Sequence, residues 1–177
     1  MRLFHFSDDP HIARFEPRPV LVPSQRPAGR EWLNGPLVWA IEARRQAMYL
    51  FPRDCPRILT WRTPATTDDD VAHWWGPGER EVVAWIEWDW LDRLRQGRLH
   101  RYEMPPDAFE DLGDAGMWVS REPVTPLNAR TLTDLPRELR EQRVELRLVE
   151  RLTPLRELWS STLHASGIRL RDAQGWT

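Results

Sequence analysis

The stretch EVVAWIEWDWLDRLRQG, residues 81–97, decides the fold class of this chain. Residues 81–88 are rich in valine, isoleucine and tryptophan, which favour β-strands. Asp89 then offers an N-cap for a helix over residues 90–96, and Gly97 marks the C-terminal end of that helix. A strand that passes directly into a helix predicts a fold in which strands and helices follow each other in mixed order along the chain.

The flanking sequence extends this pattern in both directions. Alternation and apolar runs predict further strands, and periodic apolar residues with capping residues predict further helices. The last helix begins at Thr153 and ends at Gly167, with an apolar stripe at Leu155, Leu158, Trp159, Thr162 and Leu163. Strands are expected over residues 2–7, 37–41, 57–62, 81–88, 99–104, 117–121 and 144–150, and helices over residues 42–50, 66–75 and 136–142, with a helical turn within 105–112. The prediction is an α+β fold with a strongly bent antiparallel or mixed sheet and short helices.

Length and composition limit the possible classes of protein. The 177 residues fit a single domain, and the net charge of −2 argues against broad binding to nucleic acid or anionic membranes. All 25 basic residues are arginine, so Schiff-base chemistry and a Walker-type lysine are excluded. No segment approaches the roughly 18 apolar residues of a membrane span, and the N-terminus lacks a signal-peptide core, so a cytoplasmic location is expected.

His5 and Ser7 form the first candidate site. Their spacing of two on the first strand places both side chains on one face, opposite Phe4 and Phe6. This arrangement favours a ligand cleft, and the alternative is a partly buried histidine that is hydrogen-bonded to backbone. A metal set of His5 with Asp8, Asp9 and His11 matches no usual ligand spacing, so no metal is predicted.

Cys55 is the second candidate, because it lies between Arg53 and Arg57 in the segment FPRDCPR. Two neighbouring guanidiniums could lower the pKa of its thiol and make it a nucleophile. The alternative is a turn that two prolines stiffen, with Cys55 packed as a small apolar side chain and Asp54 paired with one arginine. As the only cysteine, Cys55 forms no intrachain disulfide.

The remaining candidates are a carboxylate and a tryptophan pair. Glu103 lies in a predicted strand beside Tyr102, where it could act as a catalytic acid or base or pair with an arginine. Trp74 and Trp75 could stack on a flat ligand or belong to the core. The sequence contains no phosphate-binding glycine loop, no GxSxG motif and no CxxC motif.

Three segments resemble a bacterial family of uncharacterised proteins. They are LFHFSDD from Leu3, VWAIEARRQAMYLFPRDCPRI from Val38 and SSTLHASGIRLRDA from Ser160. The resemblance spans nearly the whole chain, with LFPRDCPR as its most specific part, and it implies no known activity.

The chain is also similar, more distantly, to ADP-ribosyltransferase-like proteins and RNA 2′-phosphotransferases. The similar segments are the first strand with His5 and Ser7, the VWAI strand followed by Tyr49, and the later strand pair VVAWIEWDWLDRL (from Val82) and MWVSREPVTP (from Met117). This distant resemblance implies that His5 holds the nicotinamide ribose of NAD, that Ser7 assists it and that Tyr49 stacks on the nicotinamide. The catalytic glutamate of those transferases commonly begins the late strand, where this chain has Met117. Glu103 and Glu122 are possible substitutes outside that position, and Glu103 is the better candidate for the role.

The leading hypothesis is a cleft near His5 that binds a nucleotide-like or other anionic small molecule, with NAD as the candidate cofactor. The protein would be an atypical or inactive NAD-dependent transferase, and the sequence leaves open whether it is an enzyme. One alternative is an interaction module that uses a Trp/Arg surface for a partner or for homo-oligomerisation. Another is a Cys55-dependent enzyme or redox sensor. The expected cleft residues are His5, Ser7, Tyr49, Arg18, Arg53 and Arg57, the arginines serving an anionic group.

Overall fold

Ten strands form two sheets, and each sheet belongs to one of two units of the chain. The computed structural model describes residues 1–177. The first unit contains Met1–Gln46 and Leu99–Leu132, and the second contains Ala47–Arg98 and Thr133–Thr177. The α+β class is confirmed, but two separate sheets take the place of one bent sheet.

The strands and helices follow each other in mixed order. The strands are β1 Leu3–Ser7, β2 Val38–Glu42, β3 Arg57–Trp61, β4 Val82–Glu87, β5 Leu99–Met104, β6 Glu110–Asp111, β7 Met117–Ser120, β8 Asn128–Leu132, β9 Val144–Val149 and β10 His164–Ile168. The α-helices are α1 Asp68–Trp74, α2 Leu91–Gln96 and α3 Leu135–Glu141. Turns of 3-10 helix cover Glu31–Asn34, Ala43–Tyr49, Trp88–Trp90, Pro106–Ala108, Thr153–Ser160 and Leu170–Asp172. None of the helices is both long enough and apolar enough to cross a membrane.

The sheet of the first unit is antiparallel throughout, in the order β6-β7-β2-β1-β5-β8. Leu3 and Tyr102 lie on one face of this sheet and pack with Phe15 and Val124 in a buried cluster. Phe15 and Val124 also form an isolated β-bridge, with N···O distances of 2.8 and 2.9 Å. The long segment after β1 is therefore held down on that face by a buried aromatic side chain.

The sheet of the second unit is mixed, in the order β10-β3-β4-β9. β4 pairs with β9 in parallel, and the other two pairings are antiparallel. One face of the sheet carries Ile58, Val83 and Trp85, which pack into the core of the unit with Trp75 of the segment after α1. The indole of Trp75 donates a hydrogen bond of 2.9 Å to Thr60, so the core also satisfies its polar atoms.

Side-chain caps begin two of the three α-helices. Thr67 caps α1 by accepting from the amide of Asp70, and Asp134 caps α3 by accepting from the amide of Arg137 at 3.1 Å. The cap predicted at Asp89 is wrong, because Trp90 takes the N-cap position of α2 without a side-chain bond. Asp89 instead accepts a 2.7 Å hydrogen bond from the side chain of Gln174.

The C-terminal helix is the main error in the predicted elements. Thr153–Ser160 forms a 3-10 helix, and the chain then extends into β10 instead of continuing to Gly167. Asp70 accepts from both the amide (2.7 Å) and the hydroxyl (2.5 Å) of Thr162, which fixes the chain after the helical turn. A contact distant in sequence therefore overrides the local apolar stripe. The strand β8 was not predicted at all.

Candidate functional site

The segment FPRDCPR forms a tight loop that leads into β3. The amide of Cys55 donates to the carbonyl of Pro52 at 3.0 Å, which closes a turn across the two prolines. Arg57 begins β3, and its guanidinium folds back over this loop. Its Nε donates to the carbonyl of Met48 at 2.8 Å and its Nη1 donates to the carbonyl of Cys55 at 2.9 Å. Arg57 thereby joins the two ends of the loop.

The guanidinium of Arg57 is a buried charge without a carboxylate partner. Its residue is only 3% exposed, and its two hydrogen bonds go to backbone carbonyls. The third nitrogen, Nη2, has no partner within the protein, yet it is not among the fully enclosed unpaired atoms, which are indole nitrogens of Trp39 and Trp118. A buried cation normally requires a pairing anion, so this arrangement is incomplete as a purely internal one.

Aromatic rings surround the same guanidinium. The ring of Phe51 is centred 5.2 Å from its carbon and the ring of Tyr49 is centred 5.9 Å away. Burial lowers the pKa of Arg57 to about 10, so the group still carries its charge at neutral pH. The ring of Phe51 is itself buried, so the site combines a persistent positive charge with the half-buried ring of Tyr49, which suits an anionic group attached to a ring.

Arg169 lies close to this charge. It follows Ile168, which pairs with Arg57 across β10 and β3, and its positive charge lowers the pKa of Arg57 further. Arg169 makes no hydrogen bond or ion pair through its side chain, and its backbone has a φ of 56°. Arg169 was not among the expected site residues, because the segment before it was predicted to be the end of a helix. A strand over residues 164–168 would have placed the two arginines together.

Cys55 does not have the lowered pKa that the sequence suggested. Its side chain is fully buried, and burial raises the pKa of the thiol to about 12. Its sulfur lies 3.6 Å from the carbonyl of Pro56, the geometry of a weak bond from a neutral thiol. The small packed side chain of the alternative interpretation is what the structure contains, so the hypothesis of a reactive Cys55 loses its chemical basis.

His5 and Ser7 share one face of β1 as their spacing predicts, and that face also carries buried Leu3. Nδ1 of His5 is 2.7 Å from the carbonyl of Trp39, so this nitrogen carries the proton. The ring of Phe15 lies 4.6 Å from the imidazole, centre to centre. Ser7 is buried, and its hydroxyl accepts from the amide of Asp9 at 3.1 Å.

Glu103 is held in an ion pair. Its two oxygens accept from the guanidinium of Arg2 at 2.7 and 3.0 Å, and Asn128 donates a third bond at 2.9 Å. These bonds, that from Arg2 above all, lower the pKa of Glu103 to about 2. The carboxylate is therefore ionised at neutral pH, but its charge is already matched by a cation.

The other expected residues are distributed over the two units. Arg18 is exposed in the first unit, where its backbone forms an isolated bridge with Leu37. Arg53 is exposed and Tyr49 half-buried in the second unit, together with Arg57. Within that unit the structure brings Tyr49 and Arg57 together. No group of three or more histidine, cysteine, aspartate or glutamate side chains is arranged to hold a metal ion.

Comparison with known proteins identifies a family and no activity. A model described as a family of unknown function, DUF6886, matches residues 4–173. The chain belongs to this family. No curated protein and no solved structure matches it significantly. The DUF6886 match includes Arg57 and Arg169 and extends over both units, which agrees with the resemblance to an uncharacterised family and leaves the ADP-ribosyltransferase resemblance unsupported.

Proposed function

We propose that this protein binds a small molecule that carries an anionic group, with Arg57 as the residue that contacts the anion and Tyr49 beside it. The observation that carries the proposal is the buried guanidinium of Arg57, which has no carboxylate partner. A phosphate or carboxylate oxygen would supply the acceptor that Nη2 lacks, and it would neutralise the buried charge. Tyr49 gives the site a preference for ligands with a ring, so nucleotides are the favoured class.

The test is a calorimetric titration of the purified protein with pyrophosphate, ADP-ribose and NAD, each in a separate experiment. We expect saturable binding of at least one of these ligands, and we expect Arg57→Gln to weaken it by about tenfold or more, since a charged hydrogen bond contributes roughly 1.5–3 kcal/mol. Arg140→Gln is the matched control, because it removes one exposed positive charge from α3 of the same unit. Equal affinities in the Arg57 and Arg140 variants would refute the proposal.

Loss of the loop closure could unfold the Arg57 variant, so a second variant is needed. Tyr49→Leu keeps the guanidinium and both of its backbone bonds. We expect it to weaken ligands with a ring, such as ADP-ribose, and to leave pyrophosphate affinity unchanged. Circular dichroism of each variant establishes that the fold is retained. If Tyr49→Leu weakened both ligands equally, the ring would not contribute to selectivity.

A more specific form of the proposal is an NAD-dependent transferase-like protein. In this form His5 and Ser7, which share one face of β1 in the first unit, bind the nicotinamide ribose, whereas Glu103 lies on the opposite face of the same sheet and takes no part. The common face of His5 and Ser7 supports this form, whereas the hydrogen bond from His5 to the carbonyl of Trp39 matches the alternative of a partly buried histidine bound to backbone. His5→Ala should abolish quenching of tryptophan emission by NAD, and unchanged quenching would contradict this assignment.

Exposed tryptophans favour a second candidate function, the non-enzymatic interaction module. Trp32, Trp88 and Trp159 are each more than a third exposed. The guanidinium of Arg121 lies 4.6 Å from the ring of Trp32. Tryptophan and arginine are enriched where proteins bind each other. Sedimentation velocity over a wide concentration range would reveal self-association, and Trp159→Ala should then shift the protein toward monomer.

A further inference from the structure

We propose that Arg169 is a second anion-binding residue of the site at Arg57. The two arginines together then select a doubly charged phosphate group over a singly charged carboxylate. This inference rests on the proposed function, since it assigns a ligand class to the same site. The expected ligand is therefore a phosphate monoester or the terminal phosphate of a nucleotide, and not a carboxylic acid of similar size.

The backbone of Arg169 provides the first argument. Its φ of 56° lies in the left-handed region, which glycine adopts readily and which residues with a Cβ adopt at a cost. Arg169 precedes the 3-10 turn Leu170–Asp172, and its carbonyl accepts the amide of Asp172 at 2.9 Å. Glycine would make the same turn without strain. The turn itself therefore does not require arginine at this position.

The side chain of Arg169 provides the second argument, because nothing in the protein neutralises it. The nearest carboxylate in sequence, Asp172, pairs with Arg171 at 3.7 Å. Arg143 has the same φ of 56° and forms a 3.0 Å ion pair with Glu81. Of these two arginines with a left-handed backbone, only Arg169 has no ion pair, and it directly follows Ile168, whose backbone pairs with that of Arg57.

The charges of Arg57 and Arg169 also favour a doubly charged ligand. Arg169 adjoins the strand pair that contains Arg57, so two positive charges repel each other there, and a single carboxylate neutralises only one of them. A phosphate dianion neutralises both, and its oxygens match the fork of donors that each guanidinium presents. The same reasoning explains why neither arginine has an internal carboxylate partner. An internal carboxylate would occupy the position of the ligand and reduce its affinity.

The experiment compares phenyl phosphate with benzoate, because both probes carry the same ring and differ in charge. Calorimetry with the whole protein at pH 8 should show phenyl phosphate binding at least about tenfold more tightly than benzoate. Affinity for phenyl phosphate should fall as the pH drops below about 6, where the second ionisation of a phosphate monoester is lost. Arg169→Gly should reduce the affinity for phenyl phosphate by about tenfold and leave that for benzoate nearly unchanged.

Variants of Arg169 and Arg143 distinguish a failure of this inference from a failure of the proposed function. Arg169→Gly should fold well and melt at or above the wild-type temperature, since it relieves the backbone, and Arg143→Gly provides the control with the same backbone change. Arg143→Gly should leave phenyl phosphate affinity as it is. Binding that depends on Arg57 but survives Arg169→Gly would overturn the inference and leave the proposed function standing. Equal affinity for phenyl phosphate and benzoate would also overturn it, and a wild-type protein that binds no anion at all would overturn both proposals.

Discussion

Glu87 at the end of β4 anchors two distant segments of the second unit. The residue is 1% exposed, and its Oε1 accepts from the amide of Leu152 at 3.1 Å. The amide of Gln174 donates to both of its oxygens, at 3.1 and 3.2 Å. No arginine pairs with this carboxylate, so its stabilising effect comes from backbone donors. Glu87→Ala would leave these two amides without an acceptor.

The expected loss follows from the two amides. A buried polar group without a partner costs about 1–3 kcal/mol, and because the amide of Gln174 is only partly buried, the two amides together cost at most about 2–6 kcal/mol. Removing a buried carboxylate offsets part of that cost, which leaves an expected loss of about 2–4 kcal/mol in the free energy of unfolding. For a chain of this length, that corresponds to a fall of about 4–16 °C in melting temperature. Glu87→Gln keeps one oxygen for both amides and should lose less, about 1–2 kcal/mol.

Urea unfolding followed by circular dichroism measures these differences. Glu141→Ala is the control, because Glu141 is exposed on α3 and pairs only with Arg137 at a spacing of four. That variant should stay within about 0.5 kcal/mol of the wild type. Hydrogen exchange at the amides of Leu152 and Gln174 gives a local measure of the same loss. If Glu87→Ala were as stable as Glu141→Ala, the anchoring role of the carboxylate would be wrong.

Two further predictions concern titration. Because burial raises the pKa of Cys55 to about 12, iodoacetamide should alkylate the native protein slowly at pH 8 and the urea-unfolded protein rapidly; fast native alkylation would contradict the buried thiol. The pKa of Glu103 is lowered to about 2, so its ion pair with Arg2 stabilises the fold above its ordinary pKa of 4.5, and this stability is lost as the pH falls toward 2. Glu103→Gln should therefore flatten the dependence of unfolding free energy on pH between 5 and 2, and an unchanged slope would argue against this ion pair.

Local patterns predicted the elements whose composition matches their structure. β4 was predicted from its valine, isoleucine and tryptophan residues. β8 was missed because its sequence NARTL has only one large apolar residue, as suits an edge strand whose first four residues are exposed. Its partner is β5, and this pairing, which the local sequence of β8 does not encode, defines it. The division into two sheets also depends on such distant pairings.

The candidate site was predicted in part for the same reason. FPRDCPR pointed to a stiff turn with arginines suited to an anion, and Tyr49 with Arg57 does lie at that turn. The sequence alone gave no means to separate the buried Arg57 from the exposed Arg53. Arg169 was missed because its approach depends on the register of β10 against β3. Composition can suggest the chemistry of a site, but the pairing of strands determines which residues lie together in it.

Closure of the loop uses only some of the hydrogen-bond donors of the Arg57 guanidinium, and the remaining donors can be tested by measurement. Two of its nitrogens hold the carbonyls of Met48 and Cys55, while the charge and Nη2 remain unmatched. An anion that binds only the folded state stabilises it by about 2.7 kcal/mol at 100 times its Kd. Saturating phosphate should therefore raise the melting temperature by about 5–11 °C, and chloride at equal ionic strength should not. The rise should vanish in Arg57→Gln. Equal melting temperatures in phosphate and chloride would mean that Arg57 only closes its loop and that its charge binds no anion.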